Sequence, residues 1–143
     1  MKADAKTGSA VIAVLNKFTE AYAKRDMDGL LALFASDPDV VLMGTGVDEK
    51  RTGLQEIKAQ AERDWAQAEA VSFDLSGCSV SASGPIAWVV ADSIANVKIG
   101  GKEASLAGRF TAVLEKRGDS WLIMQSHGSM PAAEQAAGES YPA

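Results

Sequence analysis

Apolar residues recur at three- and four-residue spacing through the first half of the chain and at two-residue spacing through the second half. Ile12, Leu15, Phe18 and Tyr22 form one such stripe, so a first amphipathic helix is expected there, with Ser9 as its N-cap and Arg25-Asp26 as its end. Asp26 or Asp28 can open a second short helix through Leu30, Leu31, Leu33 and Phe34, stopped by Ser36-Asp37-Pro38 because proline disfavours helical geometry before it. Val40 to Met43 reads as a strand. After the turn Gly44-Thr45-Gly46-Val47-Asp48-Glu49, Thr52 and Gln55 suggest a capping box for a third helix, which carries Leu54, Ile57, Ala61 and Trp65 to about Glu69.

From Val71 onward the period is two, and turn signals at Gly84-Pro85, Gly100-Gly101 and Gly118-Asp119 divide the remainder into four long strands of an antiparallel meander. Gly77 interrupts the first of them. There the apolar phase moves from Val71, Phe73 and Leu75 to Cys78 and Val80, the mark of a β-bulge that would curve the sheet. Helices first and strands afterwards point to an α+β fold: two to three helices on a curved, mostly antiparallel sheet, shaped as a cone with an open mouth. Residues 1–131 are expected to form one domain and 132–143 a loosely attached tail.

Composition narrows the function. In 143 residues, 19 acidic against 14 basic side chains leave a net charge of -5, so no basic field draws in nucleic acid or an anionic membrane surface. One cysteine, Cys78, and one histidine, His127, exclude a disulfide framework and a Cys/His zinc site within one chain, and no metal or cofactor is expected. The acidic pair Asp48-Glu49 offers too few ligands for calcium and reads as a solvated turn. Cys78 reads as simply buried. The apolar run Ala10 to Leu15 imitates a signal peptide but lacks a cleavage site, and no segment approaches the about 20 apolar residues of a membrane span, so a cytoplasmic protein is expected.

The element order resembles the SnoaL-like branch of the nuclear transport factor 2-like superfamily. The resemblance is carried by the turn from Gly44 to Glu49 closed by Gly53, the strand Arg109-Phe110-Thr111-Ala112-Val113-Leu114, and the ending Trp121-Leu122-Ile123 followed by His127-Gly128-Ser129-Met130-Pro131. It implies the fold and leaves the activity open, since the superfamily includes isomerases, dehydratases, epoxide hydrolases, cyclases and non-enzymatic binding or assembly domains. The ketosteroid isomerases of this scaffold use a tyrosine, a carboxylate base and a protonated aspartate, a site long used to illustrate pKa tuning. Carried onto this chain, those positions fall at Phe18, near Gly44, and at Phe110 or Thr111. None is an acid or a base, so this isomerase chemistry is not expected.

Strand register places the other polar residues. A two-residue Gly100-Gly101 loop sets Asp92 opposite Arg109, where an ion pair is expected, and Val90 opposite Thr111. In the next hairpin, a three-residue loop with a bulge would set Arg109 beside His127 and Val113 beside Ile123, whereas a two-residue loop reverses the match. On the first choice Trp88, Asp92, Arg109, Thr111, Trp121, Gln125 and His127 share one face, and Ala87, Val89, Ala91, Gly108, Phe110, Ala112, Met124 and Ser126 share the other. The resemblance favours the second, smaller and more apolar face as the cavity wall.

The leading expectation is a homodimeric domain that binds a small apolar or aromatic molecule without transforming it, with Phe18, Tyr22, Trp65, Phe110 and Met124 as ligand contacts. Pairing is expected through the outer sheet face, with Trp88, Val90, Ile94, Val113, Trp121 and Ile123. The alternatives are a lyase, isomerase or hydrolase using Asp92, Arg109 and His127 as catalytic groups, and a pure assembly module with a vestigial cavity.

Overall fold

The chain begins with a helix, α1 (Ala5–Ala23), in which Val11, Leu15, Phe18 and Tyr22 are buried along one stripe. The computed structural model describes residues 1–143. Its N-cap is Asp4, which accepts a hydrogen bond from Thr7 N at 2.8 Å, so the helix starts earlier than the expected Ser9. It closes where Arg25 adopts a left-handed conformation at φ 57°. A short helix, α2 (Met27–Leu31), is capped by Asp26 on Gly29 N at 3.0 Å and ends before Phe34. Phe34 instead bridges in parallel to Ile123.

Two short strands follow, β1 (Val41–Met43) and β2 (Lys50–Thr52), paired antiparallel around the glycine-containing turn. The second of these was not expected from the sequence. The third helix, α3 (Leu54–Gln67), starts from Gly53 at φ 83° and ψ 157°, a region essentially reserved for glycine. No side chain caps it, which corrects the expected Thr52–Gln55 box; Glu56 reaches back to Thr52 N at 2.7 Å instead.

The meander comprises β3 (Ala70–Ser83), β4 (Ile86–Ile99), β5 (Lys102–Arg117) and β6 (Ser120–Ser129). The six-stranded sheet has the order β2-β1-β6-β5-β4-β3, antiparallel throughout except for β1 against β6. The bulge stands where the apolar phase shifts: the β3–β4 register slips between Ser76 and Ser79, with Gly77 at φ 59°. Asp92 lies opposite Arg109 and Val90 opposite Thr111, as the two-residue loop requires. The facing pair nevertheless forms no ion pair.

The last hairpin differs from the register expected for it. Its turn has two residues, with Arg117 opposite Ser120, and a shift between Val113 and Leu114 leaves Met124 as the extra residue on β6. His127 therefore faces Thr111, and Arg109 faces Ser129. The two-residue turn, in place of the three-residue loop, reverses the first part of β6, so Trp121 and Ile123 are buried in the core and not on the outer face, and the shift at Met124 restores the phase for His127.

The inner face divides along its length. At one end Ala87, Val89, Ala112, Leu114 and Ile123 close against Val11 and Leu15 of α1 in solid core. Toward the other end Leu75, Ser93, Ala95, Val97, Leu106 and Phe110 line an open space beneath α1 and α3. The Gly77 bulge falls between Leu75, in the open part, and Val80, in the closed part. Beyond β6, residues 131–143 form exposed turns.

Candidate functional site

The open end encloses a cavity of about 320 Å³. Its walls are largely apolar: Phe18 and Tyr22 from α1, Ile57 and Ala61 from α3, and Phe73 and Phe110 from the sheet. The aromatic rings brace one another, with Phe18 6.0 Å from Phe110 and Tyr22 4.9 Å from Phe73 between centroids. All these positions follow from period. On α1 the buried stripe places Phe18 and Tyr22 one turn apart. On β4 and β5 the alternation places Ala95 and Phe110 inward.

Of the expected ligand contacts, Phe18, Tyr22 and Phe110 line the cavity, and Trp65 and Met124 do not. Trp65 is buried behind Tyr22, its indole nitrogen donating to the Tyr22 carbonyl at 3.1 Å and its ring 5.7 Å from the phenol. It supports the wall. Met124, the extra residue of β6, is carried off the cavity face and lies 3.9 Å from an Arg117 nitrogen. Asp92, Arg109 and His127 are exposed on the opposite face of the sheet and take no part in the cavity. Of the positions onto which the resemblance carries the isomerase groups, Phe18, Gly44 and Phe110 line the cavity, and Thr111 is exposed outside it.

One wall is polar. The Tyr22 hydroxyl donates to Asp64 Oδ2, and Gln60 Nε2 donates to Asp64 Oδ1 at 2.7 Å and to Glu49 Oε1 at 3.1 Å. Gln60 is only 3% exposed, and Arg51 Nε fixes its other end by donating to Oε1 at 2.8 Å. Glu49 also accepts from Gly46 N at 2.8 Å and pairs with Arg63 at 2.9 Å, whose guanidinium holds Asp48 as well. The turn that read as a solvated acidic pair is therefore tied to α3. At the far end of α3, Arg25 donates to the carbonyls of Trp65, Ala68 and Glu69 at 2.8 to 3.0 Å, supplying partners that a helix terminus otherwise lacks.

Burial raises the Asp64 carboxyl above its ordinary value and the nearby Glu49 charge adds to this, while bonds from Tyr22 and Gln60 oppose it. The Tyr22 phenol is also pushed up, first by burial and then by its bond to Asp64. Asp64 and Gln60 were missed in the sequence, although a signal was there. Ile57, Gln60, Ala61 and Asp64 recur at core-facing spacing, so two of the four stripe positions are polar. A polar residue in an apolar stripe marks a wall that needs a partner.

Helices on a curved six-stranded sheet, open at one end over a mixed apolar and acidic cavity, define the nuclear transport factor 2-like, cystatin-like class of α+β domains. The family model for the SnoaL-like domain matches residues 11–133, and the chain belongs to that family. Among solved structures, a nuclear transport factor 2-like superfamily protein from Salmonella enterica is similar at TM-score 0.84 and 19% identity, over 97% of this chain and 100% of that one. A Streptomyces avermitilis member of the same superfamily, provisionally named a dehydratase, is similar at TM-score 0.80 and 22% identity, over 90% and 98% of the two chains. A Novosphingobium aromaticivorans protein, provisionally named a scytalone dehydratase, is similar at 0.77 and 16%, over 87% and 83%. Comparison with curated proteins gives no significant match. No helix is long and apolar enough to cross a membrane.

Proposed function

We propose that the chain is a cytoplasmic, homodimeric small-molecule-binding domain that holds a largely apolar or aromatic molecule in the cavity without transforming it. The observation that carries this reading is the composition of the cavity wall: aromatic and aliphatic side chains enclose about 320 Å³, with Phe18, Gly44 and Phe110 where an isomerase would hold its acid and base groups. Such a pocket binds a ring system by removing apolar area from water, at roughly 25 cal/mol per Å² before association costs. Residues 1–131 form the binding unit in this reading, and 132–143 are dispensable to it.

Dimer formation is supported by the outer sheet face. Val90 is 53% and Ile94 43% exposed there, beside half-buried Trp88 and Val113. A soluble monomer rarely leaves such a stripe uncovered, and a two-fold pairing of the face with itself would cover it. Trp121 and Ile123, being core residues, are no part of that surface.

A second reading is favoured by one observation, the Asp64 carboxyl held by the Tyr22 hydroxyl at the wall of an apolar cavity, where burial raises it above its ordinary value, as is frequent for catalytic acids and bases. In that reading Asp64, oriented by Tyr22, would move a proton in a lyase or isomerase reaction. Fluorescence titration with a neutral polycyclic, 2-naphthylmethanol, tests the first reading, together with incubation with a β,γ-unsaturated ketosteroid followed by enone absorbance. Saturable binding that Ala95→Trp abolishes, with no turnover, is expected. Turnover well above buffer that Asp64→Asn removes would establish the second reading. No binding by a stable dimer would leave an assembly module.

A further inference from the structure

The cavity-lining donors of the polar wall, the Tyr22 hydroxyl and the Gln60 amide, are engaged within it, and the other polar lining residues, Thr45, Gln67, Ser93, Ser126 and Ser129, are neutral. Arg51 Nε can only donate, so its 2.8 Å contact fixes the oxygen end of the Gln60 amide. The two protons of Gln60 Nε2 then go to Asp64 and Glu49, and the one proton of the Tyr22 hydroxyl goes to Asp64. Arg63 is turned onto Asp48 and Glu49. What the wall offers to an incoming molecule is lone pairs, on the Asp64 carboxylate, the Tyr22 oxygen and Glu49.

Charge points the same way. Glu49 and Asp64 line the cavity, and no lysine, arginine or histidine does. Glu49 is paired with Arg63, whereas Asp64 forms no salt bridge. The rings of Phe18, Phe73 and Phe110 line the same cavity, the first two packed against Tyr22; they accommodate an apolar body, and aromatic faces attract a cation.

We infer that the cavity selects an organic ammonium, a protonated amine on an apolar ring-bearing body, with its N–H groups on Asp64 and the Tyr22 oxygen. This rests on the reading of the cavity as a binding site and adds the polar group of the ligand. A carboxylate, by contrast, would bring acceptors and negative charge against acceptors and negative charge. The charged groups around Asp64 are Glu49 and Asp48 in the turn, Arg51 on β2, Arg63 on α3 and Arg25 after α1; the sheet wall of the cavity contributes none. A bound cation favours the ionised form that burial disfavours, so binding of the ammonium weakens as acid protonates Asp64.

The test compares three ligands of one shape by isothermal titration on the full chain: 2-naphthylmethylammonium, 2-naphthylmethanol and 2-naphthoate. The ammonium is expected to bind about tenfold or more tighter than the alcohol, as a charge-assisted hydrogen bond allows, and the carboxylate weakest of the three. Asp64→Asn should remove the preference, bringing the ammonium's affinity down to the alcohol's or below it. In the wild type, which needs no variant to fold, acidification should weaken the ammonium and leave the alcohol unchanged. An alcohol or carboxylate that binds as tightly as the ammonium, a preference that survives Asp64→Asn, or an ammonium affinity indifferent to acid would overturn the inference and leave the cavity reading standing. Binding of none of the three would overturn the cavity reading and this inference with it.

Discussion

Asp64 combines two opposed effects in one side chain. Tyr22 and Gln60 donate to its oxygens, which favours the carboxylate, but burial outweighs them and raises its pKa in the folded state. Between the ordinary carboxylate value and that higher folded value, the native protein holds more protons than the unfolded chain. Stability contributed by this group is therefore full below the window and falls as pH rises through it. Urea unfolding of the wild type and Asp64→Asn at pH 7 and pH 4.5 isolates this group from the other carboxylates. The wild type should gain stability relative to the variant at the lower pH; a relative loss would contradict the assignment. Glu49 shows how a local reading misleads. Beside Asp48 it reads as a solvated turn, but its side chain is only 18% exposed, because α3 brings Arg63 and Gln60 to it across the turn.

Elements were legible in proportion to the length of their pattern. The long stripe of α1 and the alternation of β3 to β5 specify helix, strands and facing registers, and the phase change at Gly77 locates the bulge in β3. Gly77→Val should cost about 1–2 kcal/mol in urea unfolding, because φ 59° is left-handed backbone that a side chain disfavours. A Cβ there would also stand 3.3 Å from an Asp92 carboxylate oxygen. Unchanged stability would contradict the claim that the bulge requires glycine. The three residues of β2 are too few to show a period, and α3 starts from backbone conformation without a side-chain cap. The bulge in β6 adds one residue with no glycine to mark it. A one-residue slip reverses faces, so the two-residue turn in place of a three-residue one turns Trp121 inward and Met124 off the cavity face, and the bulge then restores the phase at His127. The apolar half of the site was legible as stripes. Its polar half was not, since Gln60 and Asp64 acquire meaning only when Tyr22 and Glu49 arrive from elsewhere in the chain.

At the scale of the molecule, the sheet separates two different surfaces. Its inner face carries the cavity, and its outer face carries Val90 and Ile94 beside Asp92, Arg109 and His127. Pairing through the outer face predicts that light scattering at micromolar concentration finds a dimer and that Val90→Asp, which puts a charge in that stripe, shifts it toward monomer. A wild-type monomer, or a variant that remains a dimer, would contradict pairing through this face. Trp121→Asp is no test of it, because Trp121 is buried in the core and a carboxylate there would destabilise the fold itself.

The proposed binding function requires that small molecules enter at the inner face. Its most direct test is a two-dimensional NMR titration of the assigned protein with 2-naphthylmethanol. The predicted result is saturable shift changes concentrated at Phe18, Ala61, Ala95 and Phe110, with Trp88, Val90 and His127 unaffected. Shifts confined to the outer face, or none at concentrations where the ligand is soluble, would contradict it.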